Sequence, residues 1–364
     1  MTLKKIRVGI LFGGKSAEHE ISLRSAKNVI EALDREKFEA ILIGIDKSGK
    51  WLYNKEDKLI LLEDDTDQMK LNPASDHVVL APQSEGSISC LSDSELNRKI
   101  DVVFPILHGP YGEDGTIQGL LKLANVPFVG ADVIGSAVGM DKDVMKRLLR
   151  DAGLPIGKYM ALRSHQERPS FKSIEDRLGL PCFIKPANLG SSVGINRVDS
   201  EVQYENALNE AFSFDHKIVI EEFIDGREIE CAVLGNEKPK SSIPGEISFT
   251  HDFYSYEAKY QDDQGYKIDI PAKLSNELIA EIQKIAIQTF EILECKGFAR
   301  VDVFLTKENN ILVNEINTIP GFTKISMYPK LWEASGIPYT ELISQLIQLA
   351  LNRFEKEKEI RSSI

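Results

Sequence analysis

The first part of the chain alternates short apolar runs with apolar residues at helical spacing. The apolar run 6–12 ends at Gly13-Gly14, a pattern that predicts a buried strand entering a turn. Residues 22–33 carry apolar side chains at the spacing of one helix face, and 40–45 form a second apolar run. This strand–helix–strand order predicts a right-handed crossover within a parallel sheet.

Residues 47–97 are polar and rich in Ser, Pro and Gly, and we interpret them as loops and peripheral strands. A third buried strand is predicted over 101–107, and a helix over 116–124. Asp141 is placed to cap a further helix that runs to Arg150.

The second half of the chain predicts a mixed region of strands and helices. Its elements are expected as strands 182–186, 193–198, 217–224, 228–234, 298–305 and 311–317, and as helices 201–212, 274–293 and 339–356. Residues 249–270 are polar and aromatic without a period, which is typical of a long loop that covers a site. The pattern indicates an α/β region followed by α+β regions.

Composition narrows the class of protein. The 364 residues are 42% hydrophobic and 27% charged, which indicates a globular protein of two or three domains. A formal net charge of −12 argues against a general nucleic-acid binder, and no apolar stretch reaches the ~20 residues that cross a bilayer. The start is too short in its apolar part for a signal peptide, and the four cysteines lack metal-site spacing. We therefore expect a cytoplasmic protein with buried thiols and with no nucleic-acid or membrane partner.

The strongest candidate site lies on the two predicted strands near the C-terminus. Because side chains alternate along a strand, Arg300 and Asp302 share one face, and Glu315 and Asn317 share one face. If the strands pair as a hairpin, two carboxylates and an amide oxygen converge, which suits Mg²⁺. Arg300 would then stabilise negative charge on a transferred group. The alternative is a salt-bridged polar sheet face.

A second candidate is the Gly- and Ser-rich segment 185–194, which follows an apolar strand. Small residues let backbone N–H groups close around a phosphate, and Lys185 at the end of a buried strand favours an anion. The segment lacks the GK[ST] of a P-loop, and the alternative is a hairpin turn.

Three further segments have candidate chemistry. Residues 13–22 follow the first strand without a GxGxxG pattern; Glu18 there either holds an ammonium group or is an ordinary acid in a first helical turn. Residues 108–115, His-Gly-Pro-Tyr-Gly-Glu-Asp-Gly, gather charge and imidazole at a strand end. In the predicted loop, Lys259 could reach a phosphate and Tyr260 could donate a hydrogen bond; a solvated loop is the alternative.

Taken together, these segments resemble the D-alanine–D-alanine ligases of the ATP-grasp superfamily over essentially the whole chain. The stretches that carry the resemblance are 13–22, 108–115, 140–142, 185–194, 257–260, 300–302 and 314–321. The resemblance implies a three-domain ATP-grasp fold with an N-terminal Rossmann-like parallel-sheet domain over 1–140. A central subdomain over 141–235 and a C-terminal subdomain over 236–364, with a lid at 249–270, would hold ATP between them.

The resemblance also implies an ATP-dependent enzyme that joins two D-alanines through a D-alanyl phosphate, for cell-wall peptidoglycan and cell shape. The nucleotide would be bound by the phosphate contacts Lys142, Lys185, Lys259, Ser191 and Ser192, the adenine contacts Glu221, Glu222, Phe223 and Ile224, and the ribose contact Glu228. Two Mg²⁺ ions, with Mn²⁺ as a substitute, would be bound by Asp302, Glu315 and Asn317.

By the same resemblance, Glu18 would hold the ammonium group of the first D-alanine, with His108 nearby, while Ser191 and Tyr260 would link the lid to that end of the site. Arg300 and the N–H of Gly321 would form an oxyanion hole, and Ser326 would contact the second carboxylate. The family resemblance suggests a homodimer.

Other functions stay open at this point. The same fold could make D-alanyl-D-lactate or D-alanyl-D-serine, although the Lys259-Tyr260 pair favours the dipeptide. A dinucleotide-dependent oxidoreductase and a non-catalytic nucleotide-binding module are the alternatives from other classes.

Overall fold

The computed structural model of the protein describes residues 4–53, 61–63, 69–72, 75–91, 97–249, 266–323 and 325–360. Its N-terminal part contains nine strands: Ile6–Gly13 (β1), Phe38–Ile45 (β2), Trp51–Tyr53 (β3), Leu61–Glu63 (β4), Met69–Leu71 (β5), Asp76–Leu80 (β6), Ser87–Cys90 (β7), Asn97–Lys99 (β8) and Val102–Ile106 (β9). The helices of this part are His19–Ala32 (α1), Thr116–Leu123 (α2), Val133–Met140 (α3) and Lys142–Asp151 (α4).

Seven of these strands form one sheet in the order β8-β7-β6-β3-β2-β1-β9. The pairs β1–β2 and β1–β9 are parallel, as the strand–helix–strand pattern predicts. The strands of the polar segment 47–97 extend the sheet through antiparallel pairs, so the sheet is mixed rather than wholly parallel. The carboxyl ends of β1 and β9 lie at the same edge, which is where ligands bind in open α/β sheets.

The middle of the chain forms a separate antiparallel sheet. Its elements are Tyr159–Arg163 (β10), Phe171–Leu178 (α5), Cys182–Pro186 (β11), Asn196–Val198 (β12), Glu201–Phe214 (α6) and Lys217–Glu222 (β13). The strand order is β10-β13-β11-β12, and a buried cluster that includes Ile184, Tyr204 and Ile220 fills the space between this sheet and its helices.

A third sheet contains the strands Gly226–Gly235 (β14), Lys240–Ser241 (β15), Gly245–Phe249 (β16), Tyr266–Asp269 (β17), Gly297–Thr306 (β18) and Ile311–Asn317 (β19). Its helices are Asn276–Ile292 (α7), Met327–Ala334 (α8) and Tyr339–Lys358 (α9). Strand β14, placed in the central subdomain by the sequence, pairs with β18 along its full length in this sheet. The proposed boundary at 235/236 therefore separates strands that pair with each other.

The C-terminal helix packs against the N-terminal sheet. One buried cluster joins Phe104 of β9 with Phe298 of β18, Phe322, and Leu346 of α9. Phe322 meets Phe104 edge-on at 5.9 Å and Phe298 at 5.6 Å between ring centroids. Aromatic contacts of this kind anchor the chain after β19 to the first sheet.

Most predicted elements are confirmed within a few residues. Strand β19 has the predicted bounds, and the Asp141 carboxylate accepts hydrogen bonds from the N–H groups of Asp143 and Val144 at the start of α4. Within the predicted loop 249–270 the structure shows β17, and residues 250–265 lie outside the described chain. All four cysteines are buried thiols, as predicted. Among the described helices, none combines the length and the apolar character needed to cross a membrane.

Candidate active site

The hairpin of β18 and β19 brings the predicted polar side chains together. In its register Asp302 faces Glu315 and Arg300 faces Asn317, which confirms the predicted pairing. The Arg300 guanidinium donates two hydrogen bonds of 2.7 Å to Asp302, and the Asn317 amide donates one of 2.9 Å to the same carboxylate. Val301, on the opposite face of β18, is fully buried, so the strand separates a polar site from an apolar core.

Arg300 also pairs with Glu230 of β14, which sequence reasoning missed. The Arg300 Nε lies 2.8 Å from Glu230 Oε2, and Glu230 sits directly across from Asp302 in the sheet. Burial opposes the charge of Arg300, but Asp302 and Glu230 outweigh it and hold the pKa of Arg300 well above its usual value. The available signal was Glu230 itself, an acid directly before the apolar run 231–234, since a charge buried there needs a partner.

A second cluster of charges surrounds Glu221 at the end of β13. Lys185 of β11 lies 2.9 Å from one Glu221 oxygen, and Lys146 of α4 lies 3.3 Å from the other. Burial raises the pKa of Glu221, but the two lysines outweigh it and bring the pKa down to about 2. Burial lowers the pKa of Lys146, whereas Glu221 raises the pKa of the more closely bonded Lys185 in spite of its burial. Lys146 was not identified from the sequence, because its position there is that of an ordinary polar residue in a predicted helix.

Lys142 connects this cluster to the hairpin. It is the first residue of α4, and its Nζ donates a 2.7 Å hydrogen bond to the carbonyl of Leu189 in the Gly- and Ser-rich segment. The same Nζ lies 3.7 Å from Glu315 of β19. Three lysines and two carboxylates, those of Glu221 and Glu315, therefore lie along one side of the site.

The residues predicted to contact adenine are the last two residues of β13 and the two that follow them, before β14 begins. Glu222 accepts a 2.7 Å hydrogen bond from the N–H of Lys158, and the Ile224 side chain packs against Gly157. Phe223 is 45% exposed, with its ring 6.2 Å from that of Phe183. A half-exposed ring beside the lysine cluster offers a flat apolar surface on which a base can stack. On the neighbouring strand β14, Glu228 faces Phe304 of β18.

Ser191 connects the central sheet to the N-terminal part. Its hydroxyl donates a hydrogen bond to Glu18, which immediately precedes α1. Ser191 and Ser192 both have left-handed backbones, with φ of 50° and 60°. Two such residues in sequence are strained, and strain of this kind concentrates at functional loops.

His108 is buried, and both of its ring nitrogens have partners. Nε2 lies 3.3 Å from the Ser25 hydroxyl and Nδ1 lies 3.1 Å from the Ile319 carbonyl. Burial lowers the pKa of His108, so the neutral ring is favoured. The structure thus places His108 against the segment that follows β19.

Gly321 and Ser326 lie next to each other after β19. A Cβ at Gly321 would come within 2.9 Å of the Ser326 hydroxyl oxygen, so a larger residue there would require that hydroxyl to move. The Ser326 hydroxyl accepts a 3.0 Å hydrogen bond from the N–H of Thr323. Lys259 and Tyr260 lie outside the described residues.

Comparison with known proteins gives the family of the chain. The family models described as D-ala D-ala ligase N-terminus and C-terminus match residues 7–131 and 148–348. A D-alanine–D-alanine ligase of Oceanobacillus iheyensis is 54% identical over 99% of each chain. The chain belongs to the D-alanine–D-alanine ligase family. The predicted family and enzyme class are confirmed.

Solved ligase structures have the same fold. The D-alanine–D-alanine ligase of Coxiella burnetii aligns with a TM-score of 0.85 and 39% identity, covering 98% of this chain and 96% of that one. The D-Ala:D-Ser ligase VanG of Enterococcus faecalis aligns with a TM-score of 0.84 and 36% identity, covering 95% and 100%. The predicted three-domain ATP-grasp fold is therefore confirmed.

The hairpin of this ligase has a donor set that suits a hard cation. Asp302, Glu315 and Asn317 provide two carboxylates and an amide oxygen on one polar face. Because the Asn317 nitrogen donates to Asp302, its oxygen remains the atom of that amide able to accept or ligate. Across the described ranges, no group of three or more His, Cys, Asp or Glu side chains is arranged to hold a metal ion.

Proposed function

We propose that the protein joins two D-alanine molecules into D-alanyl-D-alanine and converts one ATP into ADP and phosphate, for peptidoglycan synthesis and cell shape. The observation that carries this proposal is the continuity of the site. Glu18 is hydrogen-bonded to Ser191 in the Gly- and Ser-rich segment. Lys142 contacts both this segment, through the Leu189 carbonyl, and Glu315 on the β18–β19 hairpin. These contacts connect the end proposed for the amino acid with the end proposed for the phosphates.

ATP would bind with its phosphates toward Lys142, Lys185, Ser191 and Ser192, and its adenine against residues 221–224. Lys146 and Lys185 share the carboxylate of Glu221, so the lysine cluster is arranged before a nucleotide arrives. Such preorganisation reduces the cost of collecting positive charge around a triphosphate. Glu228 would contact the ribose, and Lys259 would reach the phosphates from the lid.

Asp302, Glu315 and Asn317 would hold two Mg²⁺ ions, with Mn²⁺ as a substitute. When bound, these ions would supply neutralisation of the negative charge on the β- and γ-phosphates. The protein would hold these three ligands on one hairpin, and the opposite face of that hairpin packs in the hydrophobic core. Arg300 keeps Asp302 in place through its paired hydrogen bonds.

In the first step, a carboxylate oxygen of the first D-alanine would attack the γ-phosphorus of ATP. An O–P bond to the substrate forms as the bond to the ADP oxygen breaks, which gives D-alanyl phosphate and ADP. Glu18 would hold the ammonium group of this D-alanine, and its bond to Ser191 would orient the carboxylate side chain. Positioning and charge neutralisation carry most of the catalysis in such a transfer.

In the second step, the amine of the other D-alanine would attack the acyl carbon as a free base. The C–N bond forms, the C–O bond to phosphate breaks, and the amine loses one proton as phosphate leaves. The Gly321 N–H and Arg300 would stabilise the oxyanion. Ser326 would contact the second carboxylate, and Tyr260 would join Ser191 at the lid end.

The test of substrate class is ADP release from ATP and Mg²⁺ with D-alanine, with L-alanine, or with D-alanine plus D-lactate or D-serine. We expect release and dipeptide with D-alanine alone. Release that requires D-lactate or D-serine would make that compound the second substrate; D-serine is the one that the name of the VanG relative gives. No release with any of them would overturn the proposal.

We also propose that the protein acts in the cytoplasm as a homodimer with domains 1–140, 141–235 and 236–364. The family resemblance supports the dimer. The seven-, four- and six-stranded sheets support a division into three parts, except that β14 of the second part belongs to the sheet of the third. Sedimentation equilibrium tests the dimer, because it reports the mass of the particle independently of its shape.

A further inference from the structure

The segment 317–322 after β19 is held by side chains from the N-terminal part of the chain. The N–H of Ile319 donates a 3.2 Å hydrogen bond to Glu113, and the carbonyl of Ile319 lies 3.1 Å from the His108 ring. The N–H of Phe322 donates to the Ser25 hydroxyl at 3.4 Å. Three backbone groups within four residues are therefore bonded to side chains more than 200 residues earlier.

Glu113 joins this segment to the amino-acid end of the site. Its second oxygen accepts a 2.7 Å hydrogen bond from the N–H of Gly109. Gly109 has a left-handed φ of 74°, and a Cβ there would lie 2.9 Å from a carboxylate oxygen of Glu18. One carboxyl group thus bonds both to the backbone beside Glu18 and to the backbone of Ile319.

The hydrogen bonds of Glu113 lie in a buried part of the protein, where water cannot replace them. Ile319 and Phe322 are buried in the main core cluster, so an N–H group left without an acceptor there cannot turn to water. Burial, and then the neighbouring charge of Glu18, raise the pKa of Glu113 to about 8. The protein retains a carboxyl group at this position in spite of its cost in desolvation.

The segment 317–322 has a residue of the proposed site at or near each of its ends. Asn317 begins it, paired in the sheet with Arg300, and Gly321 lies near its end beside Ser326. A shift of the segment would move a metal ligand and an oxyanion donor together. Misplacement of reacting groups by ~1 Å can cost about 100-fold in rate.

We propose that Glu113 is a positioning residue, whose carboxyl group fixes the segment 317–322 relative to Glu18 and so sets the geometry in which the two amino acids react. His108 and Ser25 complete the attachment through Ile319 and Phe322. This role rests on the proposed function, because the ligation of two amino acids requires Glu18 and the segment 317–322 to have a fixed relative position.

The chain offers a matched control next to Glu113. The carboxylate of Asp114 also accepts two backbone hydrogen bonds, from Tyr111 at 2.9 Å and from Thr116 at 3.0 Å. Both of these bonds stay within its own loop. Glu113→Ala and Asp114→Ala therefore each remove an acid side chain that accepts two backbone hydrogen bonds. Only Glu113→Ala removes the link to Ile319.

The experiment compares the two variants in D-alanine-dependent ADP release, in ADP binding, and in amide hydrogen exchange of Ile319. We expect kcat to fall about 10- to 100-fold in Glu113→Ala and to stay within about 2-fold in Asp114→Ala, with ADP binding unchanged in both. Exchange of the Ile319 amide should be at least about 10-fold faster in Glu113→Ala only. Equal kcat and equal exchange in the two variants would overturn the proposal.

The exchange measurement also separates this proposal from the proposed function. If the wild-type protein releases no ADP with D-alanine, the ligase assignment fails, while Ile319 exchange still reports whether Glu113 holds the segment. If Glu113→Ala does not fold, Glu113→Gln keeps the shape of the side chain, and Ser25→Ala removes the Phe322 bond together with the Ser25–His108 contact. A fall in kcat with unchanged ADP binding is expected for both, and wild-type rates in both would contradict the role.

Discussion

The Ser191 hydroxyl donates a hydrogen bond to Glu18, a residue 173 positions earlier in the chain. This contact joins the Gly- and Ser-rich segment of the central sheet to the start of α1 at the edge of the first sheet. The segment proposed to bind phosphate and the residue proposed to bind the amino acid therefore share one hydrogen bond, which orients the Glu18 carboxylate.

The first prediction concerns that bond. Ser191→Ala should raise the KM for the first D-alanine about 10-fold, because Glu18 loses the donor that fixes its orientation. Initial rates over a range of D-alanine concentrations measure this effect. Ser213→Ala is the control, since the Ser213 hydroxyl donates only to Glu210 on the exposed side of α6. Equal KM values in the two variants would contradict the role of Ser191.

Arg300 gives the second prediction. Arg300→Lys should lower kcat about 100- to 1000-fold, because a lysine cannot make the paired bonds to Asp302 and also reach Glu230. Arg227→Lys is a matched control, since Arg227 makes the same paired contact with Glu246, at 2.8 and 2.7 Å, near the surface of the same sheet. A similar, small loss in both variants would show that the Arg300 contacts serve the sheet alone.

Glu315 gives the third prediction. Glu315→Gln should abolish turnover and leave the folded structure intact, because it removes a metal ligand from a polar face and no core contact. Circular dichroism checks the fold, and Mn²⁺ binding followed by electron paramagnetic resonance checks the ligand role. Wild-type ATP turnover in this variant would rule out Glu315 as a metal ligand.

Lys146 gives the fourth prediction. Lys146→Met should raise the KM for ATP and reduce the free energy of unfolding by about 3 kcal/mol, because the buried Glu221 carboxylate loses one of its two partners. Denaturant unfolding and ATP titration measure the two effects. Lys158→Met, at an exposed lysine 3.8 Å from Glu222, should change neither.

The fifth prediction is a pH dependence of stability. The pKa of Glu221 is about 2 in the folded protein, below its ordinary value of 4.5, so the unfolded chain takes up this proton first as pH falls. The stabilisation is complete above pH ~5 and is lost progressively as pH falls toward about 2, by up to about 3 kcal/mol. The difference in unfolding free energy between wild type and Glu221→Gln should therefore shrink over that range. A constant difference would contradict the assignment.

The sequence predicts those parts of the site that depend on local pattern. The alternation in β18 and β19 places Arg300 and Asp302 on one face, and Glu315 and Asn317 on one face, and the observed register agrees. The capping role of Asp141 follows from its place before a helix in the same way. The alternation of side chains along a strand and the capping of a helix depend on residues close together in the sequence, so both can be predicted without knowledge of the fold.

The missed residues depend on partners that are distant in sequence. Lys146 reads as a surface lysine until the fold places Glu221 beside it, and Glu113 becomes a link only when Ile319 lies next to it. Strand β14 follows the central strands along the chain yet pairs with β18, because adjacency in sequence does not decide which sheet a strand joins.

The most direct test of the central claim follows oxygen from the carboxylate of D-alanine. The protein is supplied with ATP, Mg²⁺ and D-alanine labelled with ¹⁸O in its carboxylate, and the phosphate and dipeptide are analysed by mass spectrometry. Ligation through D-alanyl phosphate predicts one ¹⁸O in each phosphate released and one dipeptide for each ADP. Unlabelled phosphate, or ADP formed without dipeptide, would contradict the account.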